Sequence, residues 1–498
     1  MMPGNSPKGL YPVVQIPARP TGRADDIKKQ NLMKKILFIC VAFLTTLSKA
    51  MFGQELPNIL FVFIDDMGYG DLGCYGNKTV ETPNIDRLAN EGIRFSQYYS
   101  NAPICSPSRV AVTTGQYPTR WGITSFINDK KANERRGIKD FLDKNAPSVA
   151  RNLQEAGYYT AHIGKWHMGG GRDIGDVPYI REYGFNESVT QFEGIGERYL
   201  ATFETLGMKD STRGLEKMSA ALGRGDIHWI KREDFTKTYV NRVVQAIENA
   251  RKAQKPFFIN LWPDDVHTPL EPPRHLRGNG KTPDLYRGVI KELDTQLGRL
   301  FDYIRENPEL KNNTLIVLTS DNGPARNVGS AGNFRGHKGN LFEGGIREPL
   351  IVWSPKLIPG ERQGTLNEVT VVAGMDLPTS FISIAGAQKT KGVKYDGLDM
   401  SQALLGHAQP IRKQPVMWQR PPELTKANQV DLPDIAIREG DYKLLVNTDG
   451  SNPELYHLAS DEGETTNLAG KYPKLTRQLT KKVLKWYSTM PPMVTPND

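Results

Sequence analysis

Residues 57–64, P-N-I-L-F-V-F-I, form a continuous apolar run that stops at Asp65-Asp66-Met67-Gly68. A strand that is apolar on both faces must be covered on both faces, which is the condition of a strand inside a parallel sheet. Runs of the same texture recur at 158–163, 256–261, 314–319 and 350–353. Between them lie stretches with helical periodicity: 82–90 with a Thr-Pro start, 147–156 stopped by Gly157, 235–253, 284–306 and 377–385. Buried strands alternating with helices predict an α/β fold whose mostly parallel central sheet is flanked by helices, over about 55–405. Past 405 the texture changes to short strand and turn signals, D-I-A-I-R-E-G-D-Y-K-L-L-V-N and E-L-Y-H-L, followed by a helical stretch at 473–487. Residues 406–498 are therefore expected to form a small antiparallel C-terminal α+β subdomain.

Hydrophobic residues at 38% and charged residues at 24% describe a globular chain and exclude a fibre or a polytopic membrane protein. The net charge of +9 is misleading, because residues 1–50 hold eight bases against Asp25 and Asp26. Removing them from 64 bases and 55 acids leaves 56 against 53, so no nucleic-acid partner is expected. With Met33 as the start, Lys34 and Lys35 make a basic segment, 36–47 an apolar one, and Ser48 and Ala50 supply small residues for cleavage. We read 33–50 as a signal peptide, 1–32 as an upstream extension, and the protein as exported to the periplasm or secreted. The apolar run is too short for stable membrane insertion. Cys40 lies inside it after Phe38 and Ile39, which does not suit lipid attachment. Cys74 and Cys105 remain after cleavage, and in an exported protein two cysteines ordinarily suggest a disulfide.

The polar clusters fall just after strands, where a parallel sheet places its chemistry. Asp65 and Asp66 follow the first strand; Asp321 and Asn322 follow L-I-V-L-T-S. Side chains alternate along a strand, so adjacent aspartates with a shared role must sit in a loop, with Gly68 and Gly70 letting it turn. Three carboxylates and an amide at one sheet edge make an oxygen-only cage for Ca²⁺ or, less well, Mg²⁺, in preference to Zn²⁺. Each pair alone also reads as a turn or helix cap. Cys105 opens C-S-P-S-R-V-A-V-T-T-G, where Pro107 suits a first helical position and Ser106 or Ser108 a cap. A helix start offers N–H groups to an anion, and Arg109 falls on the face of Cys105. A low-pKa thiol is the other reading of such a cysteine.

Cys105-Ser106-Pro107-Ser108-Arg109 with Thr114-Gly115 resembles the C-x-P-S-R and T-G signature of the formylglycine-dependent sulfatases. In order, Asp65-Asp66-Met67-Gly68-Tyr69-Gly70-Asp71 resembles their first metal motif, and Gly164-Lys165-Trp166-His167-Met168-Gly169 their G-K-W-H-x-G. Ser320-Asp321-Asn322-Gly323-Pro324 resembles the second metal motif, and Phe334-Arg335-Gly336-His337-Lys338-Gly339 with Glu343-Gly344-Gly345 the late lysine motif. Leu455-Tyr456-His457-Leu458, Asp461, Glu464 and Asn467-Leu468 resemble the closing segment. Ordered motifs spread over 56–490 are far more specific than any one of them.

The resemblance implies an alkaline phosphatase-like fold and a sulfuric ester hydrolase. It implies that Cys105 is oxidised to 3-oxoalanine (formylglycine) by a formylglycine-generating or anaerobic sulfatase-maturating enzyme, and that the hydrated aldehyde is the nucleophile. Arg109, Lys165 and His167 would then hold the sulfate and handle the diol protons; the last two share a face if their strand continues. Asp65, Asp66, Asp321, Asn322 and a diol oxygen on residue 105 would bind one Ca²⁺. His267 in W-P-D-D-V-H-T-P matches the histidine that meets the departing alcohol, assisted by Lys338. Arg172, His228, Arg335 and His337 are candidate substrate contacts, as are Tyr179, Arg181 and Trp229 in the weakly periodic stretch 170–234, which also reads as a surface excursion. His162 and His407 are substrate contacts or plain surface residues, and Cys74 packs. The expected substrate is an extracellular sulfated carbohydrate, an algal polysaccharide or a glycosaminoglycan. A phosphonate monoester hydrolase or phosphodiesterase of the same superfamily and a silent glycan binder are the alternatives.

Overall fold

The computed structural model describes residues 56–204, 212–421 and 432–492, with Pro12 and Gln15. The expected extension and signal peptide, including Cys40, otherwise lie outside the described residues. All five predicted apolar runs are strands: β1 (Asn58–Ile64), β3 (Tyr159–Lys165), β7 (Phe257–Trp262), β8 (Thr314–Ser320) and β9 (Arg347–Trp353). Strands not foreseen are β2 (Ile93–Tyr99), β4 (Glu187–Gln191), β5 (Arg198–Thr202), β6 (Ile227–Lys231), β10 (Thr365–Asn367) and β11 (Val372–Ala373). The sheet runs β10-β2-β9-β8-β1-β7-β3-β4-β5-β6, with β11 also on β2. Among them β9 alone runs against its neighbours.

Strand β1 lies near the middle and is buried along its whole length. Leu60, Val62 and Ile64 face one core layer, packed by the helices Pro83–Glu91, Phe235–Lys252 and Thr282–Glu306. Ile59, Phe61 and Phe63 face the other, packed by Cys105–Thr114, Val149–Glu155 and Asp376–Ile384. Burying each of these side chains contributes roughly 1.5–3 kcal/mol, so the β1 register is pinned from both sides and the loop after it is held in place.

The small sheet is antiparallel, β12 (Val416–Gln419), β13 (Ile435–Glu439), β14 (Tyr442–Val446) and β15 (Glu454–His457) in that order. Leu479 and Val483 of the closing helix Pro473–Ser488 cover Ile435, Ile437 and Leu444 on one face. Its other face, with Trp418, Ala436 and Leu445, shares a core with Tyr99, Ala111 and Ile346. Buried Lys443 of β14 bridges Glu343 Oε1 at 2.8 Å and Glu464 Oε1 at 2.9 Å, tying the small sheet to the segment entering β9. No helix among the described residues is long and apolar enough to cross a membrane.

Candidate active site

Strands β8, β1, β7 and β3 are consecutive neighbours in the sheet, and all run the same way. Their C-terminal ends therefore deliver Asp321-Asn322, Asp65-Asp66, the Asp264–His267 loop and Lys165-Trp166-His167 to one rim. Asp66 takes a left-handed backbone (φ 62°), which turns the chain so that both aspartates reach the same side. The Asp66 N–H donates to Asp321 Oδ1 at 3.1 Å, locking the two loops together.

The helix Cys105–Thr114 begins at the cysteine, is buried throughout, and ends at Gly115 with φ 70°. Pro107 is thus the third helical residue, and neither nearby serine caps the helix. Ser106 Oγ instead accepts from Ile127 N at 3.0 Å, and Ser108 Oγ donates to the Asp321 carbonyl. Arg109, one turn on, donates through Nη2 to Asp321 Oδ2 at 2.9 Å and Asp65 Oδ1 at 3.2 Å, and through Nη1 to the Lys165 carbonyl at 2.9 Å. Cys105 Sγ lies 3.7 Å from Lys165 Nζ and 3.4 Å from Lys338 Nζ. Lys165 also holds Asp65, and Lys338 reaches both Asp66 oxygens at 2.6 and 2.8 Å. Gly164 has φ 116°, and a Cβ there would meet the Trp262 carbonyl oxygen at 2.0 Å, so only glycine lets β3 end this close to β7.

The expectation that Lys165 and His167 share a face of a continuing strand is corrected: β3 ends at Lys165, and His167 has φ 51°. Both still line one cavity of about 230 Å³, with Asp65, Cys105, Arg172, His267 and Lys338. His267 lies 3.7 Å from Asp66 Oδ2 through Nε2, and its Nδ1 donates to the Thr268 carbonyl at 2.6 Å. Three of the weaker candidates stand elsewhere. Arg335 stacks on Phe342 and donates to Tyr456 Oη at 2.9 Å; His337 Nδ1 donates to the Lys338 carbonyl at 2.9 Å; His228 is 3.3 Å from Glu197 on the edge strand β6. The stretch 170–234 is not a plain excursion, since it carries β4, β5 and β6. Cys74 and Cys105 are both free, so the disulfide reading does not hold, and Cys74 packs against the core.

Asp65, Asp66 and Asp321 each place a carboxylate oxygen within 4.8 Å of the others. Burial works to raise Asp65, but Lys165, His267, Arg109 and Lys338 outweigh it and hold the carboxyl well below its usual range. Burial of Asp66 is likewise outweighed, by Lys338 and His267. For Asp321, burial and the Asp65 charge outweigh the Arg109 guanidinium that it shares with Asp65, and push it up to about 8. Arg109, Lys165 and Lys338 match the three carboxylates in number, yet Asp321 is left the least stabilised as an anion. Asn322 donates its amide to Asp66 Oδ1 at 2.8 Å, yet its own Oδ1 is buried with no partner. An orphaned oxygen beside three carboxylates is a donor set that fits a hard divalent cation.

Sequence reading passed over two acids in the cavity wall. Asp264 is held by Arg232, and Glu193 lies 2.8 Å from His167 Nε2 and pairs with Arg172. Glu193 follows a strand too short and polar to be read, which hid it; Asp264 stood inside a motif quoted for its histidine.

The Sulfatase family profile matches residues 57–387. The chain is 32% identical to N-acetylgalactosamine-6-sulfatase of Canis lupus familiaris over 70% of its own length and 66% of that relative's. It is 27% identical to N-acetylgalactosamine-6-O-sulfatase of Bacteroides thetaiotaomicron, over 86% of this chain and 92% of the other. Among solved structures it resembles Ps i-CgsB in complex with k-i-k-neocarrahexaose, with a TM-score of 0.72, 26% identity, and coverage of 88% of this chain and 94% of that one. With the motif residues gathered at one rim of a matching fold, the chain belongs to the sulfatase family, whose members are sulfuric ester hydrolases.

Proposed function

We propose that this protein hydrolyses sulfate esters of an extracellular sulfated carbohydrate, with Cys105 converted to formylglycine and one Ca²⁺ bound by Asp65, Asp66, Asp321 and Asn322. The observation that carries the reading is Cys105 itself, buried at a helix start between the ammonium groups of Lys165 and Lys338 and beside the carboxylate cluster. Burial, followed by the Asp65 charge, pushes its thiol up, so the unmodified side chain is a protonated, poor nucleophile. A hydrated aldehyde at that position offers one hydroxyl to attack sulfur and a second to expel the sulfate, which a thiol lacks.

The bound cation would supply positive charge to the sulfate and lower the proton affinity of an attacking hydroxyl. Lys165, Lys338 and Arg109 supply cationic charge around the place the sulfate would take, and Arg109 also anchors Asp65 and Asp321. His267 would protonate the departing alcohol, with Lys338 beside it. The carbohydrate names of the relatives support the substrate class, and a leader at 33–50 supports export and maturation outside the cytoplasm or on the way there. An assay of the purified mature protein on a panel of defined sulfated oligosaccharides, with a phosphate diester in parallel, tests the reading. Turnover of the diester alone would replace it with phosphorus chemistry, and turnover of neither would point to a glycan binder.

A further inference from the structure

The imidazole of His167 meets two acceptors at the same nitrogen. Nε2 is hydrogen-bonded to the Ile127 carbonyl oxygen at 3.1 Å and lies 2.8 Å from Glu193 Oε2, a close contact outside hydrogen-bond geometry, while Nδ1 is buried without any partner. A nitrogen facing only acceptors carries the hydrogen. Strands β3 and β4 end together, Lys165 pairing with Gln191, and both chains then turn through left-handed residues, His167 (φ 51°) and Phe192 (φ 56°), after which His167 and Glu193 lie side by side. Arg172 fixes the arrangement, because its Nη1 binds Glu193 Oε1 and donates to the Ile127 carbonyl at 3.0 Å. Burial works against the Glu193 charge, but Arg172 and His167 hold the carboxyl down to about 2. Burial also lowers His167 against the pull of Glu193, leaving a neutral ring.

We propose that Glu193 is a positioning residue: together with the Ile127 carbonyl it fixes the hydrogen of His167 on Nε2, so that the bare Nδ1 takes the proton whose removal releases sulfate. The assignment rests on the formylglycine reading of Cys105. In that step the free hydroxyl of the sulfated diol gives its proton to Nδ1 and its O–H electron pair becomes the second bond of the aldehyde carbonyl. The carbon–oxygen bond to the sulfate breaks, and its electron pair leaves on the sulfate. The imidazolium then returns the proton to water as the aldehyde is hydrated again.

The informative variant is Glu193→Gln. Arg172 claims an oxygen, so the amide oxygen turns to it and the NH₂ group faces Nε2, favouring the tautomer with its hydrogen on Nδ1. With 4-nitrophenyl sulfate, the first turnover should release nitrophenolate near the wild-type rate. Steady-state turnover should then fall by about 10²- to 10⁴-fold while the sulfated peptide around residue 105 accumulates in mass spectra. Glu193→Asp, which keeps a carboxylate, should recover part of the loss. Equal loss of burst and turnover, or unchanged turnover, in a variant that melts like wild type overturns the proposal. Nitrogen NMR of wild-type His167 reads the tautomer without any variant: a protonated Nδ1 in the neutral ring also overturns it. A wild-type protein that releases no sulfate defeats the sulfatase reading instead, whichever tautomer is found.

Discussion

Lys338 Nζ lies 3.4 Å from Cys105 Sγ while holding both oxygens of Asp66. Two lysines around a thiol would normally favour thiolate, yet burial and Asp65 win and keep the sulfur protonated. On the formylglycine reading, the same two lysines would face the sulfate carried by residue 105. Peptide mass spectrometry of active protein should find the Cys105 peptide lighter than the unmodified one by about 18 Da. Cys105→Ala should abolish turnover of every sulfate ester. Full activity with an unmodified Cys105 would refute the formylglycine reading.

The carboxylate trio and the unpartnered Asn322 Oδ1 should bind Ca²⁺. Chelation should remove activity, with Ca²⁺ restoring it and Mg²⁺ doing so less well. Since the ion binds only the folded chain, Ca²⁺ at about a hundredfold excess over Kd should add roughly 2.7 kcal/mol of stability, visible as a higher Tm. Rescue by Zn²⁺ alone would contradict an oxygen-only site.

Legibility from sequence followed burial. Strand β1 is covered on both faces, so its apolar run could be read directly; the sheet-edge segments E-S-V-T-Q, R-Y-L-A-T and I-H-W-I-K are short and half polar and could not. Strand β2, I-R-F-S-Q-Y-Y, mixes polar and apolar residues and carries a register shift against β9 between Phe95 and Tyr98, which blurs any period. The motif residues Asp65, Cys105 and Asp321 were each visible, but their meeting depends on β1 lying beside β8, a pairing no local pattern encodes. The same blindness hid Glu193, whose approach to His167 depends on the turns that follow the paired ends of β3 and β4.

The Glu343–Lys443–Glu464 bridge should matter for stability. Burial of Glu343 is outweighed by Lys443 and Arg347, which hold it down to about 2, whereas burial lifts Glu464 to about 7 despite Lys443. The lysine thus stabilises the charged form of Glu343 more than that of Glu464. Lys443→Met strips the cation from both acids and should cost about 3–5 kcal/mol in urea unfolding. Because the folded-state value of Glu464 is raised, its contribution is full below the ordinary glutamate range and is lost as pH rises through about 7. Glu464→Gln should therefore weaken the fall of Tm between about pH 4.5 and 7; an unchanged slope there would show that Glu464 is ionised already.

His267 donates through Nδ1 to the Thr268 carbonyl at 2.6 Å, which leaves Nε2 free of that bond and, in the proposed role, able to meet the leaving oxygen. Burial, Lys165 and Lys338 push its imidazole down, and in the proposed role an anionic sulfate would offset the lysine charges and let it take up a proton. Its loss should hurt in proportion to how badly the leaving group needs that proton. An aryl sulfate departs as a stabilised phenolate, whereas a sugar hydroxyl departs as a much more basic alkoxide. His267→Ala should lower kcat/KM for a sugar sulfate by about 10²- to 10⁴-fold while 4-nitrophenyl sulfate loses far less. Equal losses on both esters, with Ca²⁺ content and Tm unchanged, would make His267 a sulfate-binding residue and leave Lys338, which also contacts Asp66, as the proton donor.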